Sequence, residues 1–418
     1  MFKFSCVLIT LLCLLMADLK AQVVINEYSC SNVSLVQDNF NEYEDWIELY
    51  NAGSNAVNLQ GYYLSDNKGN PVKWQFGNVS LPAAGHLRVW ASGRDTTIAN
   101  NIHTNFKLTQ TKPEEIILMD AAQLLLDSLT LNPTQKNHSR GRTTDGASAW
   151  ALFTTPTPGS TNSGAKINYT PEPQFSKTSG FYGSAQSVVI NCADPNATIY
   201  YTTDGSTPST SSILYSGAVN IGQTTVLRAR AFSTIPGMEP SFVQSATYFI
   251  NVTHNVATVS VFGDQIETLL NGNQIDPETG LHYFDKNNLY QAFSYGTSNE
   301  HGNDSWAYGQ RGIDFISYDQ YGYNYAIKNQ LFHMKTRNEF QRIILKAAAN
   351  DNYPFAPAGN PPNSPGGAHI RDAYVMHLSQ LGGLSLDERS YEPCVLYVNG
   401  QYWGVYEIRE KVDDNDFT

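Results

Sequence analysis

The chain has 418 residues, of which 41% are hydrophobic and 15% charged, a balance too apolar for a disordered protein and long enough for several buried cores. Asp and Glu number 38 against 26 Lys and Arg, and the net charge of −12 repels phosphate backbones and anionic lipid, so nucleic acid is excluded as the expected partner. With 25 tyrosines, 31 glycines and 19 prolines beside few charged helix formers, short strands and many turns are expected, and the chain reads as mainly β.

The chain opens MFKFSCVLITLLCLLMADLKAQ, with Lys3 before an apolar run from Phe4 to Met16 and Ala21 before Gln22. This is the pattern of a signal peptide over residues 1–21, cleaved near Ala21, and it predicts a secreted or cell-surface protein. An uncleaved anchor is the competing reading, but the run is short for roughly 30 Å of hydrocarbon. No later stretch is apolar enough to span, so no transmembrane segment is expected after the signal. Cys6 and Cys13 belong to the leader. Cys30, Cys192 and Cys394 are too widely spread for a zinc spacing or a disulfide framework, and packing is their expected role, with a Cys30–Cys192 pair left open.

Residues 23–163 show short strands broken by Asn, Gly and Asp: VVINEYSC, DWIELYN, GYYLSD, HLRVWAS and EEIILMD. Alternation in DWIELYN sets Trp46, Glu48 and Tyr50 on one face and Ile47 and Leu49 on the other, as a strand with one buried side requires. Strands at this spacing predict a sandwich. The INEY, DWIELYN, LQGYYLSD, NFKL and SRGR stretches, with Trp150 and TPGSTN, resemble the lamin tail domain, which implies an immunoglobulin-like, non-catalytic β-sandwich attached to larger neighbours in secreted bacterial proteins. Glu27 and Glu48 are expected to serve the sandwich's own hydrogen bonding, and Asp38 to Asp45 to form a solvated loop. A calcium site needs six or more convergent oxygens, and none is expected there.

Residues 171–250 follow a polar, Pro-containing linker and alternate again: ATIYYTTDGSTPS, ILYSGAVNI, TTVLRARAFS and SATYFIN. Asp204-Gly205 after a β-branched and aromatic run is a turn signal, because Gly tolerates positive φ where the chain reverses. The IYYTTDGSTP string, with Tyr215 and LRARA, is similar to the C-terminal domain of chitobiases and β-hexosaminidases, implying an accessory β-sandwich whose family chemistry lies in a separate barrel. Tyr200, Tyr201 and Tyr215 have two readings, stacking on sugars or cross-strand packing, and packing is the better founded.

Residues 256–418 begin with VATVSVFG as an expected strand. The segment AHIRDAYVMHLSQLGG carries Ile370, Tyr374, Leu378 and Leu381 at helical spacing with Gly382 and Gly383 as a stop. Val395–Val398 and Tyr402–Ile408 flank Asn399-Gly400, a pair suited to a tight hairpin. The strings ILKAAANDN, HIRDAY and LYVNGQYWGVYEIREK resemble the CotH-type kinase family of atypical secreted protein kinases. The resemblance implies transfer of phosphate from ATP, with Mg or Mn, to Ser or Thr hydroxyls, and these cofactors are expected only for the intact family. Carried over residue by residue, it marks Arg311, Lys346, Asp351 and Glu410 as cofactor-binding candidates. Asn350, Arg371, Asp372 and Glu407 match the same motifs, and intralobe salt bridges are the competing role for Lys346 and Glu410. Where many relatives carry a Lys, this chain has Gln310-Arg311-Gly312, and an Arg differs from Lys in reach and geometry. His369 and His377, eight apart on the expected helix, are read as ordinary polar positions, and Asp413, Asp414 and Asp416 as a solvated edge. The family's metal-binding carboxylates lie downstream of the hairpin, so the expectation at Thr418 is the amino-terminal lobe alone, with catalytic residues unknown and no metal ligands assigned.

The expected architecture is therefore mainly β and multidomain, with two immunoglobulin-like β-sandwiches followed by an α+β, incomplete atypical-kinase-like lobe. The expected function is that of an exported modular protein of CotH-like kinase architecture, with a protein substrate or a cell-surface glycan as partner. The alternative is a non-catalytic adhesion module that binds glycan or protein. Glycoside hydrolysis is set aside because it needs two carboxylates about 5–10 Å apart in a cleft, and no segment is expected to offer a catalytic barrel to hold them.

Overall fold

A computed structural model describes residues 22–302, 306, 309–348, 351, 368–384, 386 and 388–411; the leader, Asn350 and the acidic positions 413–416 lie outside these residues. The chain divides into two units, 1–165 and 166–418. Among the described residues, no helix is long and apolar enough to cross a membrane.

The first unit is a two-sheet sandwich. Its strands in chain order are β1 (Val23–Ser29), β2 (Asp45–Asn51), β3 (Tyr63–Ser65), β4 (Trp74–Gln75), β5 (His86–Ala91), β6 (Thr96–Ile98), β7 (Asn101–His103), β8 (Glu115–Met119), β9 (Leu125–Thr130), β10 (Ser139–Arg142) and β11 (Trp150–Phe153). One sheet runs β11-β10-β1-β2-β5-β7-β6 and the other β9-β8-β3-β4. Ile25, Ile47, Leu49 and Val89 from the first sheet meet Leu64, Ile116 and Leu118 from the second. Each such buried aliphatic contributes about 1.5–3 kcal/mol over leaving it in water.

The opposite face of β2 is also covered, contrary to the one-sided strand the alternation implies. Trp46 and Glu48 are fully buried. A bulge in β1 between Ile25 and Glu27 marks Asn26, whose amide donates to Glu48 at 3.0 Å, Asp145 at 3.0 Å and Asn162 at 3.2 Å. Glu27 accepts from the Thr157 hydroxyl at 2.8 Å, and Gly159 N–H donates to Glu48. The segment after β11 thus closes a polar second core, and both glutamates serve the sandwich's hydrogen bonding as expected. The Asp38–Asp45 loop differs from the solvated loop expected: Asp38, Glu44 and Asp45 are buried, and Arg94 lies within 3.8 Å of Asp38 and 3.5 Å of Glu44. Cys30 and Cys394 are buried and Cys192 half-buried, and none is in a disulfide.

The second unit begins with a smaller sandwich. Its main sheet contains β12 (Gly180–Tyr182), β13 (Ala197–Thr202), β14 (Ile213–Leu214), β15 (Thr225–Ser233) and β16 (Gln244–Ile250), in the order β12-β16-β15-β13-β14. Gly205 has φ of 79°, so the Asp204-Gly205 turn forms as the composition requires. Tyr201 packs edge-on against Tyr215 at 6.5 Å beside the sandwich core, and Tyr200 meets Phe232 at 5.5 Å. These are packing contacts.

The chain continues into β17 (Ala257–Phe262), helix α1 (Ile266–Leu270), β18 (Glu278–Phe284), β19 (Tyr290–His301), β20 (Gly312–Ser317), β21 (Arg342–Lys346), helix α2 (Arg371–Leu381), β22 (Tyr391–Val398) and β23 (Gln401–Glu410). The seven strands close as a barrel in the order β17-β18-β19-β20-β21-β23-β22, with β17 and β22 parallel and the other pairs antiparallel. Val259, Leu281, Phe315, Ile343, Leu345, Leu396, Tyr406 and Ile408 fill the core with Ile266, Leu269 and Leu270 of α1. The hairpin between β22 and β23 turns at Asn399 and Gly400, whose φ values of 49° and 82° suit a tight two-residue turn.

Candidate functional site

Strand alternation decides which side chains leave the barrel. Ile343 and Leu345 point inward on β21, so Lys346 points outward; Tyr406 and Ile408 point inward on β23, so Glu407 and Arg409 point outward. Lys346 and Glu407 are direct cross-strand partners. Helix α2 lies over this outer face with Asp372 in its first turn. The Lys346 ammonium hydrogen-bonds Asp372, and Arg409 donates to Asp372 at 2.7 Å and to Glu407 at 2.9 and 2.7 Å.

The electrostatics follow from burial and pairing. Burial alone would raise the Asp372 carboxyl, but hydrogen bonds and charge from Lys346 and Arg409 outweigh it and draw the pKa down to about 2. Burial pushes the Glu407 carboxyl up, and the Arg409 guanidinium offsets only part of that. Two cations and two carboxylates therefore share one site, with the carboxylates held in different environments.

Asp351 joins this group at the same N-terminal end of α2. Its carboxylate accepts from the backbone N–H of Ala368 at 2.8 Å and of Arg371 at 3.0 Å, and Arg371 Nε lies 3.2 Å away. It thereby caps the start of a helix whose own N-cap residue, Ile370, has no side-chain acceptor. Glu410 points to a different partner, the Lys335 ammonium at 2.6 Å, and accepts from Ser390 N–H at 3.2 Å. Arg311 is engaged elsewhere again: Nε donates to the Trp306 carbonyl at 2.9 Å and Nη1 to the Leu270 carbonyl at 3.0 Å. Of the four candidates, the structure brings Lys346 and Asp351 together around the start of α2 and sends Glu410 and Arg311 to other neighbours.

Beside the ion cluster is a cavity of about 840 Å³, lined by Gly309, Gln310, His369, Ile370, Tyr402, Trp403, Gly404 and Val405. Val405 shares the outward face of β23 with Glu407, Lys346's cross-strand partner, two residues and roughly 7 Å away along the strand, while Trp403, at a bulge in the hairpin, packs against the barrel core and lines the cavity. Gly404 has φ of 144°, and a Cβ there would meet Gln310 Nε2 at 2.3 Å, so glycine is required for the amide of Gln310 to reach the Val405 carbonyl at 3.1 Å. His369, expected on the helix, precedes it in a positive-φ position and lines the cavity; only His377 is helical.

Arg409 ties the two carboxylates together and is not among the candidates that the YEIREK string marks. Its signal was the outward alternation of Glu407 and Arg409 on one strand, which needs the inward residues Tyr406 and Ile408 to be recognised first. Among the described residues, no three His, Cys, Asp or Glu side chains are grouped to hold a metal ion.

Three family models match the chain. Residues 17–133 match the Lamin Tail Domain, residues 177–245 the Chitobiase/beta-hexosaminidase C-terminal domain, and residues 309–417 the CotH kinase protein. The resemblances drawn from the motifs are thus shown segment by segment, and the ion cluster falls within the CotH-like segment. In the first sandwich, β10 and β11 lie beyond the matched residues yet complete the sheet. No curated protein matches the chain.

Proposed function

We propose that the outer face of β21 and β23, under the start of α2, is a nucleotide-binding site in an exported protein of CotH-like kinase architecture. The observation that carries this reading is the Lys346–Asp372 pair. Protein kinases position a strand lysine against the nucleotide phosphates through an ion pair with a helix carboxylate, and here a strand lysine meets a helix carboxylate beside an 840 Å³ cavity. The cavity size suits a nucleotide, and Trp403 offers a ring for a base. Lys346 and Arg409 supply positive charge for phosphates.

When bound, ATP would supply the phosphoryl group for transfer to a hydroxyl, the activity implied by the family. The described residues fit the phosphates but do not assemble a divalent-metal site, so no transfer step is derived through a metal. Asp372 holds Lys346 in place, Asp351 holds the helix that carries Asp372, and Arg409 keeps Glu407 from facing Lys346 alone. Export rests on the leader pattern of residues 1–21.

Calorimetric titration of the full chain with ATP, with and without magnesium, tests the site. Saturable binding is expected, weakened at least tenfold by Lys346→Met, a loss of about 1.4 kcal/mol. Absence of binding at millimolar ATP removes the nucleotide reading, and glycan-array binding in its place would support the adhesion alternative.

A further inference from the structure

The two most distinctive turns in the second unit meet each other. The Asp204-Gly205 turn belongs to the small sandwich and the Asn399-Gly400 turn to the barrel hairpin, nearly two hundred positions later. A Cβ placed on Gly205 would lie 2.2 Å from Asn399 Oδ1 and 3.2 Å from Phe262 Cβ. One on Gly400 would lie 3.3 Å from the Thr224 carbonyl and from Thr225 Cα, at the start of β15. Both glycines have positive φ, so each is required twice, by its turn and by the close approach of the other module.

The contact around these turns is a shared core. Phe249 of β16 packs on Phe284 of β18 at 5.1 Å and on Tyr397 of β22 at 4.7 Å, with Phe181 of β12 stacked on it at 4.3 Å. Thr247 of β16 hydrogen-bonds Ser260 of β17 at 3.0 Å and His282 of β18 at 2.8 Å, and all three are buried. Arg228 of β15 is 1% exposed; it donates to the Gly205 carbonyl at 3.0 Å and the Thr207 hydroxyl at 3.1 Å. Its guanidinium also lies over the barrel rings of Phe262 at 5.4 Å and Tyr295 at 5.9 Å. Asp264, after β17, accepts from Thr207 N–H at 2.6 Å.

We infer that the small sandwich is a fixed brace of the barrel, recognising its hairpin through the Asp-Gly-Ser-Thr turn and Arg228, and that residues 166–411 unfold as one cooperative body. A free-standing accessory module would keep this turn and the face of β16 for solvent or a ligand; here Gly205 and Thr207 of the turn meet the barrel, as do Thr247 and Phe249 of β16, while Asp204 stays exposed. The brace fixes the hairpin from which β23 runs to Glu407 and Arg409. The inference does not depend on nucleotide binding.

Scanning calorimetry and hydrogen exchange of the full chain test it. Two unfolding transitions are expected, one for each unit. Arg228→Met removes two hydrogen bonds and two ring contacts and is expected to lower the second transition by about 4–8 °C while leaving the first in place. Asp264→Ala, a milder change on the barrel side, is expected to shift the same transition in the same direction by less. In both variants exchange should rise together in β13 and β15 of the sandwich and in β17 and β22 of the barrel. Three transitions in the unaltered chain, or faster exchange confined to residues 166–250 in either variant, would overturn the inference. Unchanged stability in both variants would overturn it as well.

Discussion

Glu48 shows how a single buried side chain sets a pH dependence. Burial is the largest influence on it and the neighbouring Glu27 adds to it, so that its pKa rises from an ordinary 4.5 to about 7 despite hydrogen bonds from Asn26 and Gly159. The folded state therefore holds this proton more tightly than the unfolded chain does. The resulting stabilisation is complete below about pH 4.5 and is lost as pH rises through about 7. The melting midpoint of the first unit is expected to fall by several degrees between about pH 5 and pH 8, and Glu48→Gln is expected to flatten that slope. A midpoint that rises over the same range would contradict the assignment. The same residue marks a limit of sequence reading. Alternation placed Glu48 opposite Ile47 and Leu49, but that it is buried depends on the segment carrying Asp145, Thr157, Gly159 and Asn162, about a hundred positions away.

Helix α2 shows the same limit one level up. The spacing of Ile370, Tyr374, Leu378 and Leu381 predicts a helix, and one forms over Arg371–Leu381. Its apolar stripe faces away from the barrel, with Tyr374 55% and Leu381 63% exposed, and only Ala373 is buried. The barrel surface beneath presents Lys346, Glu407 and Arg409, so the side of the helix carrying Asp372 and Met376 packs there instead. The start of the helix is thus held by ion pairs from Asp372, beside the buried Ala373, and its far end by hydrogen bonds from Ser379 to Glu388 and from Gln380 to Ser390. Asp372→Asn is expected to speed amide exchange within residues 374–381 about tenfold while β21 and β23 stay protected, and raised salt should act in the same direction. Exchange unaltered by both changes would mean that apolar packing holds the helix. Hairpin β22–β23 is the contrasting element, because its Asn-Gly turn and flanking alternation are local and its structure matches what they predict.

For the whole molecule, the polar stretch between the sandwiches separates two units that carry separate cores. Limited trypsin digestion is expected to cut at the exposed linker near Lys166 and leave two protected fragments, and uncut chain under conditions that cleave exposed loops would argue against it. The mainly β class, the two sandwiches, the hairpin and the segment resemblances were all legible in the sequence, because alternation, turn chemistry and motif strings are properties of neighbouring residues. Tertiary structure alone decided the closure of the barrel, since its parallel β17–β22 seam joins strands more than a hundred residues apart with no local signature. It also decided which candidate cations meet which carboxylates: Lys346 reaches Asp372 and Glu410 reaches Lys335 only once the strands are in register and α2 lies across them. Periodicity reports which face a side chain takes; what stands opposite that face is set by pairing and packing between distant segments, and no stretch of neighbouring residues contains it.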